Sequence, residues 1–335
     1  MSLGQEIYVF FYRFEIYGLI GLLICSFLMG FIVYKTFNII FMQKNKVQNY
    51  QEFLNIIFKY KNNYLNISSI SSNIINIFLL ITFYIMVAGF GTYFEQQFSI
   101  NKTISAILFS VLCYFILKRN ISGVKKVNSI IIPILIFIIF VISIVNLQKI
   151  NFKFTYININ INCFSSAFIY CSYNMILVIP LLITLSKYIK NKKQIKITAI
   201  FTSLLIFILA SSIFFWLKAI DANYENIQMP AVYVIDKLYP KFKIPYGIAI
   251  LLSIFSTAIS VGISFLQNLA KKQQRYPHIL KIMCITSVII SNIEFSKLVK
   301  ILFPLFGYIG LVQIVFIITY KTKDKKQSKG LSEKR

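Results

Sequence analysis

Residues 168–180 read FIYCSYNMILVIP, and the polar run Cys171-Ser172-Tyr173-Asn174 lies in the middle of an apolar stretch from Cys163 to Ser186. A stretch of that length spans a bilayer. Lipid offers no partners to backbone groups, so the stretch must be helical, and polar side chains inside it must face protein or a cavity. Pro180 follows six residues later. A second interruption of this kind opens the chain, in MSLGQEIYVFFYRF (1–14), where Gly4-Gln5-Glu6 puts an amide and a carboxylate into an apolar run. At 1.5 Å per residue, the dozen residues before Arg13 cover roughly 20 Å, against roughly 30 Å of hydrocarbon. That is half a span. It has neither the basic start nor the small-residue cleavage site of a signal peptide.

The remainder of the chain supplies the frame for these two stretches. Its 335 residues are 58% hydrophobic and 13% charged, a balance that indicates a polytopic membrane protein. Apolar runs follow one another from end to end, so one integral domain is expected over 1–320, followed by a basic tail at 321–335. The formal charge of +25 would suit nucleic acid, but no folded basic module is present and nucleic acid is not expected as a partner. The charges alternate between connections instead. Segments 42–69, 118–127, 187–196, 271–281 and 321–335 hold 24 of the 35 lysines and arginines. Glu15, Glu95, Asp221, Glu225, Asp236 and Glu294 fall in the opposite connections. The positive-inside rule makes the five basic segments cytoplasmic, including the carboxyl terminus of this multi-pass cell-membrane protein.

With that orientation, ten segments are expected: an incomplete first one to about Phe14, then 17–41, 70–98, 103–117, 129–147, 163–186, 197–217, 244–270, 279–293 and 298–320. YQEFLNIIFKYKNN, beginning at Tyr50, reads as a short amphipathic helix on the cytoplasmic interface. The external stretch 221–243 has enough apolar residues for a short helix or hairpin. Split five and five, the segments form halves of opposite orientation, 1–147 and 163–320. That is the arithmetic of inverted-topology repeats. Interrupted spans at corresponding places in the two halves point to a midplane binding site. Both polar runs are therefore expected to lose regular helix and to face one shared cavity.

The motifs SLGQEIYVFF (2–11), VAGFGTYFEQQF (87–98), SYNMILVIPLL (172–182) and FPLFGYIGL (303–311) resemble, in this order and spacing, the YkvI-type family of bacterial membrane proteins. That family belongs to the amino acid–polyamine–organocation superfamily, with the LeuT-like fold. The resemblance covers essentially the whole chain. It implies a cytoplasmic half-helix and a Gly-rich break ahead of the Ser-Leu-Gly-Gln-Glu stretch, so the first segment is expected to be truncated, with a natural half-span as the alternative. It also implies that segments one and six bind substrate through unwound backbone. Sodium would be held between segment-one carbonyls and segment-eight hydroxyls. In SIFSTAISVGIS, Ser253, Ser256 (or Thr257) and Ser260 share a helical face and offer hard oxygen ligands, although such hydroxyls also bond back to their own helix.

Gly4, Gln5, Glu6, Ser172, Tyr173, Asn174 and Glu95 are the candidate substrate-binding residues, and Ser253, Ser256, Thr257 and Ser260 the candidate ion ligands. Glu6 is the acid deepest in an apolar run, where a carboxylate is costly and faces a cavity or a partner. It is the candidate for proton coupling, so the coupling ion is Na⁺ or H⁺. Glu95 ends segment three behind Ala88-Gly89-Phe90-Gly91-Thr92, where close helix packing explains the glycines. Tyr93, Tyr170 and Tyr173 are candidates for a lining. Five cysteines lie in or beside apolar runs without a CxxC pair and read as small buried hydrophobes. With His278 as the single histidine, neither a metal site nor a catalytic triad is expected, and no enzymatic function. The reading is an ion-coupled secondary transporter of a small organic solute, an amino acid or an amine, working by alternating access. A sensor or receptor subunit of the same fold that moves nothing is the alternative, as is a truncated remnant of a transporter.

Overall fold

The computed structural model describes residues 4–43, 47, 49–59, 65–147, 162–220, 224–225, 227–269 and 275–320. The loop 148–161 and the basic tail 321–335 lie outside the described residues. Helices account for nearly all of the rest: α1 (Gln5–Phe10), α2 (Ile16–Met42), α3 (Tyr50–Lys59), α4 (Leu65–Phe98), α5 (Lys102–Lys118) and α6 (Asn120–Leu147), then α7 (Asn162–Leu185), α8 (Lys192–Lys218), α9 (Pro230–Leu238), α10 (Lys243–Leu269), α11 (Tyr276–Ile290) and α12 (Phe295–Thr319).

Among the described residues, seven helices are long and apolar enough to cross a bilayer: α2, α4, α6, α7, α8, α10 and α12. The ten expected segments all form helices, but not all are full spans. α5, with 17 residues, and α11, with 15, reach roughly 25 Å and 23 Å at 1.5 Å per residue, short of the roughly 30 Å of hydrocarbon. α1 has six residues. Outward-facing side chains such as Phe27, Phe137, Ile200 and Ile285 are exposed, as lipid contact requires. The chain is a multi-pass membrane protein, all-helical among the described residues.

Two short helices modify the expected picture. On α3, Tyr50, Phe53, Leu54, Ile57 and Phe58 recur at helical spacing and are each at most 3% exposed. The neighbours of that helix are α4, α7 and α12, so protein, not the lipid interface, covers its apolar stripe. The stretch after α8 does form a short helix, α9, with Pro230 in its first turn and Ala231, Val234 and Ile235 fully buried.

The helices pair in a definite pattern. α2 lies along α8, α4 along α10, and α5 along α11. α7 packs against α12 and α2, while α10 also packs against α6. The short α1 is held among α7, α8, α9 and α12.

Candidate functional site

The first interruption coincides with the start of a short helix, since Gln5 and Glu6 lie inside α1. Gly4 precedes α1 at φ 85°, ψ −15°, a left-handed conformation that glycine adopts without penalty. A Cβ there would lie 2.7 Å from Ala231 Cβ and 2.9 Å from its backbone nitrogen, so the start of α1 is pressed directly onto α9. After six residues α1 ends, a single 3₁₀ turn covers Tyr12–Phe14, and Glu15 turns the chain at φ 50° into α2. The carbonyl of Phe11 lies against Gly18, where any Cβ would collide with it. The carbonyl of Phe10, left open where α1 ends, accepts from Ser166 Oγ of α7 (2.6 Å), and Cys163 Sγ of the same helix donates to Tyr17 O at the start of α2 (2.8 Å). The helix-end groups are thereby satisfied inside the bundle.

The second interruption is not a break. α7 is continuous from Asn162 to Leu185, with Pro180 inside it. The expectation of lost helix near Ser172 is corrected, and the reason is local. Ser172 Oγ donates to Phe168 O at 2.7 Å and Asn174 Nδ2 to Tyr170 O at 2.9 Å. Both side chains bond back to their own helix four residues earlier, an outlet that needs no unwinding.

The two stretches nevertheless meet. Gln5 is fully buried and Glu6 is 5% exposed; Ser172 and Tyr173 are at 1% and 2%. Glu6 lies in the immediate electrostatic neighbourhood of Tyr170 and Tyr173, and Asn174 borders both tyrosine hydroxyls. Aromatic rings close around them. Phe10 stacks on Tyr173 (centroids 5.8 Å apart), Phe303 of α12 stacks on its other side (4.8 Å), and Tyr170 meets Tyr173 edge-on at 5.3 Å. Both polar atoms of the Gln5 amide and the Tyr173 hydroxyl are buried with no hydrogen-bond partner among the described residues. Buried polar groups are normally paired, so these unsatisfied groups beside a carboxylate stand out from the apolar packing around them.

The two ends of the bundle differ around this cluster. Above α1, Glu15 and Lys218 form an ion pair at 2.5 Å, and the Lys218 ammonium also lies 4.1 Å from the centroid of the Tyr12 ring. Tyr8, Tyr12 and Tyr224 contact one another through their rings. Gln97 Nε2 at the end of α4 donates to Asp236 Oδ2 of α9 at 3.0 Å, and Lys243 lies 3.6 Å from the same oxygen. At the opposite, basic end, a cavity of about 940 Å³ is bordered by Phe41, Val47, Ile121, Thr184, Lys187 and Gln267. A neighbouring cavity of about 480 Å³ shares Ile121 and Thr184 with it and continues between α6, α7 and α10.

The remaining candidates divide. Ser256 and Ser260 line that second cavity, with Asn128 and Ser129 of α6. Asn128 Nδ2 donates to Ser260 Oγ at 3.0 Å, and Asn128 Oδ1 is buried without a partner. Ser253 and Thr257 are half-buried on the same helix. The hydroxyl row thus lies against α6, while the main neighbours of α1 are α7, α8, α9 and α12. Glu95 is exposed, in the field of Lys102, outside the buried cluster. Tyr93 is buried against Gly247, and Gly91 packs on the start of α5 at Lys102, the close helix contact expected of it. All five cysteines are buried and free.

Sequence reasoning passed over Gln313 and Trp216. Gln313, at 5% exposure on α12, lies beside Tyr50 of α3, and both its amide atoms lack partners. Its signal was available, since an amide in GLVQIVF is the same anomaly as Gln5 in its own run. The Trp216 Nε1 on α8 is likewise buried and unpartnered, with its ring edge-on to Tyr246 at 5.3 Å. No sequence signal singles it out.

No protein-family model matches the chain. Among curated proteins, it is similar to the uncharacterized membrane protein YkvI of Bacillus subtilis (strain 168), with 24% identity over 336 residues, 96% of this chain and 92% of that protein. A YkvI-like membrane protein accords with the spans described above.

Proposed function

We propose that this chain is a secondary transporter for a small organic solute, an amino acid or an amine, coupled to H⁺ or Na⁺ and working by alternating access. Its frame would be two five-helix repeats of opposite orientation, 1–147 and 163–320, in the LeuT-like arrangement of the amino acid–polyamine–organocation superfamily. The packing supports this reading. Let α1, α2, α4, α5 and α6 correspond in order to α7, α8, α10, α11 and α12. Then α1 touches α7, α2 touches α8, α4 touches α10, and α5 touches α11. Two cross-contacts have counterparts, α2 with α7 as α8 with α1 and α4 with α12 as α10 with α6, whereas the contact of α7 with α12 has none among the main helix contacts. The short helices α3 and α9 follow the second member of each set and pack on the third. A two-fold relation between oppositely inserted halves produces such pairing.

The observation that carries the function is the buried junction of Gln5-Glu6 with Tyr170, Tyr173 and Asn174. It unites corresponding helices of the two sets, and it combines a carboxylate with ring faces and unsatisfied amide and hydroxyl groups. A carboxylate among aromatic rings suits an ammonium group. The packed end at α9 and the cavities at the basic end fit a conformation open to one side only, which with the basic end inside would be the cytoplasm. Glu6 is the candidate for the coupling proton; Ser256 and Ser260 with Asn128 Oδ1 are the candidate oxygens for Na⁺. No catalytic step is assigned.

Continuous α7 favours a second reading. An uninterrupted helix exposes no backbone groups to a substrate, which suits a sensor or receptor subunit that binds through side chains and moves nothing. Reconstitution separates the two. Purified protein in liposomes is offered radiolabelled amino acids and amines under an imposed pH or Na⁺ gradient. Gradient-driven accumulation of one solute class supports transport. Saturable quenching of the single tryptophan, Trp216, without uptake supports the sensor. Neither response would overturn both.

A further inference from the structure

The faces of α2 and α8 that meet near the basic end form a groove with a built polarity. Its floor is made of small residues. A Cβ on Gly30 would lie 2.8 Å from Ser203 Cβ and 2.9 Å from Ala199 O, and Ser203 Oγ donates to Ser26 O at 2.9 Å. The helices therefore touch backbone to backbone along this line, and the larger side chains rise on either side. Phe27, Phe31, Ile200 and Leu204 form the walls, exposed by 66%, 43%, 60% and 54%. The groove has a volume of about 450 Å³, within the range of about 300–1,000 Å³ of small-molecule sites.

One end of the groove is cationic. Lys196 and Tyr34 line it there, and neither finds a hydrogen-bond or ion-pair partner among the described residues. Lys35 follows Tyr34 in the chain at the same end of α2, with its ammonium 5.9 Å from the centroid of the groove-wall ring of Phe31 and donating to Tyr320 O at 3.3 Å. No carboxylate lines the groove. All three ion pairs among the described residues, Lys218–Glu15, Lys243–Asp236 and Lys297–Glu294, lie at the other end of the bundle.

We propose that this groove binds one anionic phospholipid from the leaflet at the basic end, with an acyl chain between Phe27, Phe31 and Leu204 and the phosphate at Lys196, Tyr34 and Lys35. The apolar walls alone would accept any lipid, whereas two ammonium groups and a free hydroxyl at the head-group level select negative charge. Basic pockets between membrane helices hold anionic head groups in this way. Because α2 and α8 carry the groove together, the lipid stabilises their contact.

Native mass spectrometry of the detergent-purified full chain tests the proposal, with phosphatidylglycerol and phosphatidylcholine of equal chain length as probes. One phosphatidylglycerol should remain bound under activation that strips phosphatidylcholine. K196Q should weaken retention roughly fivefold, the share of a single interfacial ammonium, while K196R keeps it and R119Q, at the same end but off the groove, leaves it unchanged. Glycerol phosphate without acyl chains should not compete. Equal retention of the two lipids would overturn the proposal. So would equal losses in K196Q and R119Q, or displacement by glycerol phosphate.

Discussion

α1 and α7 carry comparable polar interruptions and touch one another, yet α1 ends after six residues and α7 runs on for 24. The difference lies in where each polar group finds its partner. On α7 the hydroxyl of Ser172 and the amide of Asn174 bond to carbonyls of their own helix, so polarity inside an apolar run leaves the backbone intact. On α1 the Gln5 amide has no such outlet, and the carbonyl of Phe10, left open where α1 ends, accepts from Ser166 Oγ of α7. The short helix leans on the long one. A polar run in a membrane segment therefore does not by itself specify an unwound one.

Substitutions sharpen this contrast. The largest effect is expected at the start of α1. Gly4→Val combines a positive φ with a collision against Ala231 and should cost about 2–4 kcal/mol, read as a lower midpoint of thermal unfolding in detergent. Gly18→Ala, whose new methyl meets the Phe11 carbonyl, should cost about 1–3 kcal/mol. Glu15→Gln comes next. It removes the partner of Lys218 where the two side chains are 18% and 14% exposed, a setting between surface and buried pairs, and about 1–2 kcal/mol is expected. On the continuous helix, Ser172→Ala removes a bond to its own helix and should change stability by less than about 1 kcal/mol. If Ser172→Ala were as damaging as Gly4→Val, the two stretches would not differ in the way described.

Much of this was legible beforehand. Every expected segment coincides with a helix, because lipid forces apolar runs to be helical, and the amphipathic spacing of Tyr50, Phe53, Leu54 and Ile57 marked α3. What covers that stripe was not legible, since an apolar stripe suits lipid and protein equally. The break in α7 was read wrongly because sequence shows polarity but not the direction of a side-chain bond. The Glu15–Lys218 pair joins residues 203 apart in the chain, and the placement of Ser256 and Ser260 of α10 against α6 rather than beside α1 is likewise a tertiary fact. Both lie beyond any local pattern.

The orientation of the frame can be broken with labels. Lys192→Cys and Lys237→Cys, both at exposed positions, should react from opposite sides of the membrane, with position 192 cytoplasmic. The reverse pattern would invert the placement of the open cavities.

The central claim is that Glu6, held against Tyr170 and Tyr173, belongs to the solute and proton site, and the pH profile of solute uptake by proteoliposomes tests it most directly. Glu6→Gln keeps the shape of the side chain but removes the ionisable group, so uptake should lose its pH dependence while the protein stays folded. Glu95→Gln, at an exposed carboxylate outside the cluster, should retain the wild-type profile. An unchanged profile in Glu6→Gln, or the same flattening in Glu95→Gln, would contradict the assignment and return Glu6 to a structural role.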